Sequence, residues 1–88
     1  MITSAQYAVT DTAVKIAECL VGVRVVHIAP IGNTTVYLGG TNAVTSANGY
    51  GLNKSLGEHD VNLGPGDQLW AICSSGQTET VTVLVAGA

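Results

Sequence analysis

The side chains of this 88-residue sequence best suited to acid–base, nucleophilic or metal chemistry are two histidines, two cysteines and six carboxylates. His27 stands within Val25-Val26-His27-Ile28 and His59 between Glu58 and Asp60, and neither has the Cys, His or carboxylate spacing that holds a metal. His27 reads as a strand or interface residue and His59 as the entrance of a strand. A Cys–His nucleophile could in principle draw on Cys19 or Cys73. It would need a positioned base in an electropositive niche, and nothing around either cysteine supplies one. The two cysteines form no CxxC pair and read instead as small interior residues, not joined to each other. None of the glycines falls into a GxxxxGK[ST] or GxGxxG phosphate loop. Ser46, Ser55, Ser74 and Ser75 lie in turn-rich sequence and read as turn formers. The expectation is a non-enzymatic protein with no catalytic residue, no metal ligand and no cofactor.

Charge narrows the partners. Asp11, Lys15, Glu18, Arg24, Lys54, Glu58, Asp60, Asp67 and Glu79 give a net charge of -3 with no run of either sign. Without a basic stripe to neutralise phosphates, nucleic acid is not an expected partner. The apolar stretches 20–30 and 81–88 are interrupted by Arg24 and His27 or too short to span a bilayer, so no membrane partner is expected either. Met1-Ile2-Thr3-Ser4 lacks the basic head of a signal peptide, which makes synthesis in the cytoplasm the expectation.

Any site must be positioned by one domain spanning 1–88, since a chain of this size buries only about 63% of its unfolded surface and has no core to divide. Hydrophobic residues make up 47% of it and charged residues 10%, with a mean hydropathy of +0.38. A soluble domain ordinarily carries about 25% charged residues. Part of the apolar surface is therefore expected to be covered by another subunit.

Turn signals recur at short intervals, in Gly32-Asn33, Gly39-Gly40, Asn48-Gly49, Gly57, Gly64-Pro65-Gly66-Asp67 and Ser74-Ser75-Gly76-Gln77. Val and Thr abound and Phe is absent. Such β-branched side chains suit a pleated surface. In the strand expected over 78–85, Thr78, Thr80 and Thr82 alternate with Val81 and Val83, which places the valines in the core. Over 58–63, Glu58, Asp60 and Asn62 alternate with His59, Val61 and Leu63. Segments 23–29, 34–38 and 68–73 read as strands apolar on both faces. Segment 12–21 fits a strand or a helix, with strand favoured by the β-rich remainder. Asn48-Gly49 suits a type I′ hairpin turn, and residues 1–7 read as an extended N-terminal arm. The fold class is all-β, a small antiparallel β-sandwich or β-barrel of about six to eight short strands.

One longer pattern runs across residues 23 to 85. Val23-Arg24-Val25-Val26-His27-Ile28, Thr35-Val36-Tyr37-Leu38-Gly39-Gly40, Val44-Thr45-Ser46-Ala47-Asn48-Gly49-Tyr50-Gly51-Leu52, Leu63-Gly64-Pro65-Gly66-Asp67-Gln68-Leu69-Trp70-Ala71-Ile72 and Val81-Thr82-Val83-Leu84-Val85 follow in that order. The pattern resembles a group of small structural proteins of tailed-bacteriophage virions. At Ala29-Pro30-Ile31-Gly32-Asn33 the chain departs from the Asn usual after the first apolar strand. The resemblance implies a β-protein of the particle, in first place a capsid decoration or cement protein and otherwise part of another virion appendage, made in the bacterial cytoplasm and located in the virion. It carries over no functional residue.

The partners then expected are the major capsid or another virion protein and further copies of the chain, a trimer first and a dimer second. The 1–7 arm is a candidate docking segment through Thr3, Ser4 and Gln6. Tyr37, Tyr50, Trp70 and Tyr7 are the candidate interface residues. The alternative is a host-surface or glycan-binding module that uses such aromatics as flat platforms. Far-ultraviolet dichroism is expected to give a β spectrum, and a helical fraction above about a third would overturn the fold class.

Overall fold

A computed structural model describes residues 2–53 and 59–87. Eight strands occur among them: β1 (Ile2–Val9), β2 (Val14–Glu18), β3 (Arg24–Pro30), β4 (Val36–Gly39), β5 (Tyr50–Leu52), β6 (His59–Leu63), β7 (Gln68–Cys73) and β8 (Glu79–Gly87). They build two four-stranded sheets, ordered β1-β8-β3-β6 and β2-β7-β4-β5, with every pairing antiparallel. The described residues contain no helix. The all-β class expected from sequence is what the chain adopts, as a sandwich whose sheets do not close into a barrel.

The registers share one geometry. Ile2 faces Ala86, Val14 faces Ala71, Arg24 faces Leu63 and Val36 faces Leu52, so partners are nearly mirror images about the peptide joining Ala43 to Val44. The chain is thus one long hairpin folded back at that point. Two further pairings, β3 with β8 and β4 with β7, roll the hairpin up. The result is the strand order of a two-sheet jelly roll.

Between the sheets lies an aliphatic core. Val26, Ile28, Val81, Val83 and Val9 from the first sheet meet Ile16, Val36, Leu38, Leu52, Leu69 and Ala71 from the second. Val81 is fully buried while Thr80 and Thr82 are only half-buried, which is the face assignment that the alternation predicts. In β6, His59, Val61 and Leu63 likewise share one face against exposed Asp60 and Asn62; Glu58 lies outside the described residues.

Segment 12–21 contains a strand, β2, with a register shift between Lys15 and Ala17 that accompanies the burial of Ile16. Two local readings are corrected. Residues 2–7 are not an arm. They belong to β1, which is paired residue by residue with β8 as far as Val9↔Glu79. Nor is Asn48-Gly49 a type I′ turn, since that turn needs positive φ at both central residues. Among the described residues positive φ occurs only at Gly22, Gly66, Gly76 and Gly87.

Tertiary packing accounts for the second correction. The 40–49 loop folds onto the outer face of the second sheet and buries Val44, which is 6% exposed. A Cβ on Gly39 would lie 2.6 Å from the Val44 side chain. One on Gly49 would lie 2.7 Å from Tyr37 Cβ and 2.9 Å from both Val44 Cγ2 and the Thr45 carbonyl oxygen. Val44 occupies the space that those glycines leave empty. The Gly49 amide donates to the Thr45 carbonyl at 2.9 Å, and the Thr45 amide to Asn48 Oδ1 at 2.7 Å.

At the other end of the sandwich Glu79, 5% exposed, stands on the same face of β8 as Val81 and Val83. Its carboxylate accepts the amides of Gly32 at 2.9 Å, Thr34 at 3.0 Å and Thr80 at 3.0 Å. The β3–β4 loop is thereby tied to the start of β8. A buried carboxylate is tolerable only because these donors replace water.

Replacing Val81 with Asp puts an unpaired carboxylate among aliphatics that offer it no donor, and a loss of at least about 4 kcal/mol is expected, enough to unfold a domain this small. Thr82→Asp, on the outer face, is expected to cost about 1 kcal/mol or less. Chemical denaturation of the two variants checks the face assignment, which equal damage would overturn.

Candidate functional site

Among the described residues the chemistry-bearing side chains do not converge. Both cysteines are free and buried, and they belong to opposite ends of the sandwich. Cys19 donates its amide to the carbonyl of Asp67, just before β7 begins, whereas Cys73 ends that strand. Six residues of strand separate these ends by roughly 20 Å, far beyond the Cα separation of about 4.4–6.8 Å that a disulfide spans. The Cys73 thiol donates to the Val9 carbonyl at 3.3 Å. Burial pushes its pKa up, and the carboxylates of Glu79 and then Asp11 push it further, which keeps it a neutral thiol.

His27 and Asp60 face each other directly across β3 and β6, on the outer face of the first sheet, with Nδ1 and Oδ1 2.5 Å apart. Asp60 is well exposed, so the pair adds about 1 kcal/mol or less. The cysteine side chains point into the core and His27 points away from it, so the sheet keeps His27 apart from both thiols. Among the described residues no group of three or more His, Cys, Asp or Glu side chains could hold a metal ion.

The candidate interface aromatics fall into three places. Tyr37 and Trp70 sit within strands, as the sequence suggests, and point outward from the second sheet, each half-buried between core-facing neighbours. Tyr37 faces Ile72 across β7, and Trp70 faces Gly39, over which Val44 packs. The Trp70 indole N–H donates to Gln68 Oε1 at 2.9 Å. Tyr50, 56% exposed, shares a face of β5 with buried Leu52 and stacks on His59 with ring centroids 4.9 Å apart. That stack joins the edge strands β5 and β6 and closes one side of the sandwich. Tyr7 belongs to the opposite side. It lies on the core face of β1, where a groove of about 230 Å³ opens between β1 and β2, lined also by Thr3, Lys15, Ala17, Glu18, Arg24 and Val85. Within this groove Arg24 Nη1 donates to the Glu18 carbonyl at 3.0 Å and Lys15 Nζ lies 3.2 Å from Glu18 Oε2.

The sequence reading missed the most exposed apolar surface. Leu20, Val21 and Val23, 72%, 79% and 61% exposed, crowd the β2–β3 connection. Gly22 turns that connection with φ 77°. Ile2, 68% exposed, lies at the same end, in one outer-face row with Ala86 and Val25. Leu84 follows in the next row beside His27, above a shallow groove of about 260 Å³ that Ala29 and Thr82 also line. A signal was present in the sequence, because Leu20-Val21-Gly22-Val23 is an aliphatic run broken by a glycine. Reading its two halves as strand ends concealed it.

Comparison with family models, with curated proteins and with solved structures returns no match.

The raised Cys73 pKa has a pH signature. The folded state resists loss of the thiol proton and the unfolded state does not. The corresponding stability is complete below the ordinary thiol range near pH 8.5 and declines as pH rises through and above it. Thermal unfolding from pH 7 to 11 is expected to show a steeper alkaline decline for the natural chain than for Cys73→Ala, and parallel curves would overturn this reading.

Proposed function

We propose that the chain is a non-enzymatic virion structural protein, most simply a capsid decoration or cement protein that binds the particle surface in many copies. The single observation that carries the reading is the concentration of large exposed aliphatics at one end of a small sandwich, around Leu20, Val21, Val23 and Ile2. A solvated monomer gains nothing from such an end, whereas a protein docked on a larger surface buries it. Strand order adds support, because the two-sheet jelly roll recurs in viral capsid and lectin domains.

The resemblance to phage virion proteins falls on meaningful parts of this fold. Val44-Thr45-Ser46-Ala47-Asn48-Gly49 forms the tip where the long hairpin reverses, and Gly64-Pro65-Gly66-Asp67 is the turn that delivers β7. In that turn Gly66 takes φ 85° and Asp67 Oδ2 accepts the Gly64 amide at 2.8 Å. The protein would be made in the bacterial cytoplasm and reside in the virion, with a capsid or other virion protein and its own copies as partners.

A glycan-binding module is the second reading, favoured by the outward Tyr37 and Trp70 on adjacent strands. Electron microscopy of purified particles labelled for this chain is the deciding experiment. Regular density on the capsid surface, lost on Val21→Asp, is the expected result. Particles without the chain, together with glycan binding that Trp70→Ala abolishes, would replace the first reading with the second.

A further inference from the structure

Among the described residues the sandwich has four edge strands, and three of them are guarded against pairing with another chain. β2 carries Lys15 and Glu18 and is broken by its register shift. β5 is only three residues long. β6 carries Asp60, held by His27, and its first residue lies under the Tyr50 ring. Charges, bulges and shortness are the devices by which proteins keep sheet edges from associating. β1 has none of them. It is eight residues long, Ile-Thr-Ser-Ala-Gln-Tyr-Ala-Val, without charge or proline, and its ladder to β8 runs unbroken from Ile2 to Val9. Among the described residues β8 is its only strand neighbour, so one edge of β1 presents its backbone outward.

The side chains of β1 are also only partly covered. Thr3, Ala5, Tyr7 and Val9 share the core face, yet Thr3 and Ala5 are exposed although their partners Val85 and Val83 are not. The five-residue β2 does not cover the first half of β1, and the groove beside Thr3 and Tyr7 opens there.

We propose that the free edge of β1 pairs antiparallel with β1 of a second copy about a two-fold axis at Ala5, joining two four-stranded sheets into one. The inference rests on the self-associating reading above and specifies its contact. Pairing about Ala5 sets Tyr7 of each copy opposite Thr3 of the other, so a large ring lies over the stretch of core face that β2 leaves open. It also sets Ile2 opposite the partner's Ala8, which covers an aliphatic side chain now 68% exposed. Self-pairing brings no like charges together because the strand has none. Such a contact is isologous and closes after two copies. The assembled unit in solution is then a dimer and not a trimer.

Light scattering and disulfide trapping together test the contact. Over a range of micromolar concentrations the natural chain is expected to show the mass of two copies. Ala5→Lys, at an exposed position, is expected to weaken association at least tenfold while the β spectrum stays unchanged. Ala5→Cys is expected to form a disulfide-linked dimer on mild oxidation, since Ala5 meets its own copy. Thr3→Cys, placed opposite Tyr7, is expected to trap far less. Equal trapping at the two positions, no trapping at Ala5, or a natural chain monomeric throughout overturns the proposal, and if Ala5→Lys fails to fold the trapping experiment decides. A chain that is found on particles yet does not trap through Ala5 retains its proposed function and loses only this contact. A dimer that traps as expected but is missing from particles reverses that outcome.

Discussion

Nearly everything in this molecule follows from one constraint, that the chain pairs with itself as a hairpin reflected about a single peptide bond. When β1 meets β8, β2 meets β7, β3 meets β6 and β4 meets β5, alternating side chains must stay in step along each ladder, with the one shift in β2 taken up between Lys15 and Ala17. A slip of one residue along β8 would turn its valines outward and its threonines inward. The tip of the hairpin is accordingly held down, with Val44 lodged against Gly39 and Gly49 and the loop fastened by Asn48 and Thr45. Rolling the hairpin then brings β8 between β1 and β3 and β7 between β2 and β4. The outer strands of each sheet are left as edges of very unequal length and charge.

Polar interactions do not drive this fold but make its corners unique. Glu79 occupies a position that the alternation of β8 assigns to the core, and it is stable there because three backbone amides converge on it. Gly32 is matched to it, since a Cβ at that position would lie 2.6 Å from Glu79 Oε2. The same carboxylate helps to hold Cys73 as a neutral thiol, so one buried charge both organises a loop and quiets a cysteine.

Local alternation made much of this legible. The valine face of β8, the two faces of β6 and the doubly apolar β3, β4 and β7 all follow from residue order, because period-two patterning reports burial directly. What residue order conceals is which partner a segment meets. Ile2–Val9 mixes small, polar and apolar side chains without clear alternation, and its strand character comes from β8, far along the chain. Asn48-Gly49 has the vocabulary of a tight turn, yet the conformation is decided by the burial of Val44. Tyr37 and Trp70 could be placed within strands, but which sheet face each would occupy depended on register. The Glu79 site was visible in principle as a carboxylate in step with Val81 and Val83, and only the incoming amides of Gly32 and Thr34 explain it.

The position of β8 has a consequence for biosynthesis. It is the last of the eight strands to be translated, yet it is an inner strand of its sheet, bonded to β1 on one side and to β3 on the other. A nascent chain that stops short of Glu79 can form the β3–β6 hairpin ladder but has nothing to connect it to β1. At about 5–20 residues per second this interval is brief, and it is the period when β1 has both edges bare. The strand that completes the sheet is thus the last of the eight to leave the ribosome, and a product truncated before it leaves β1 without its partner.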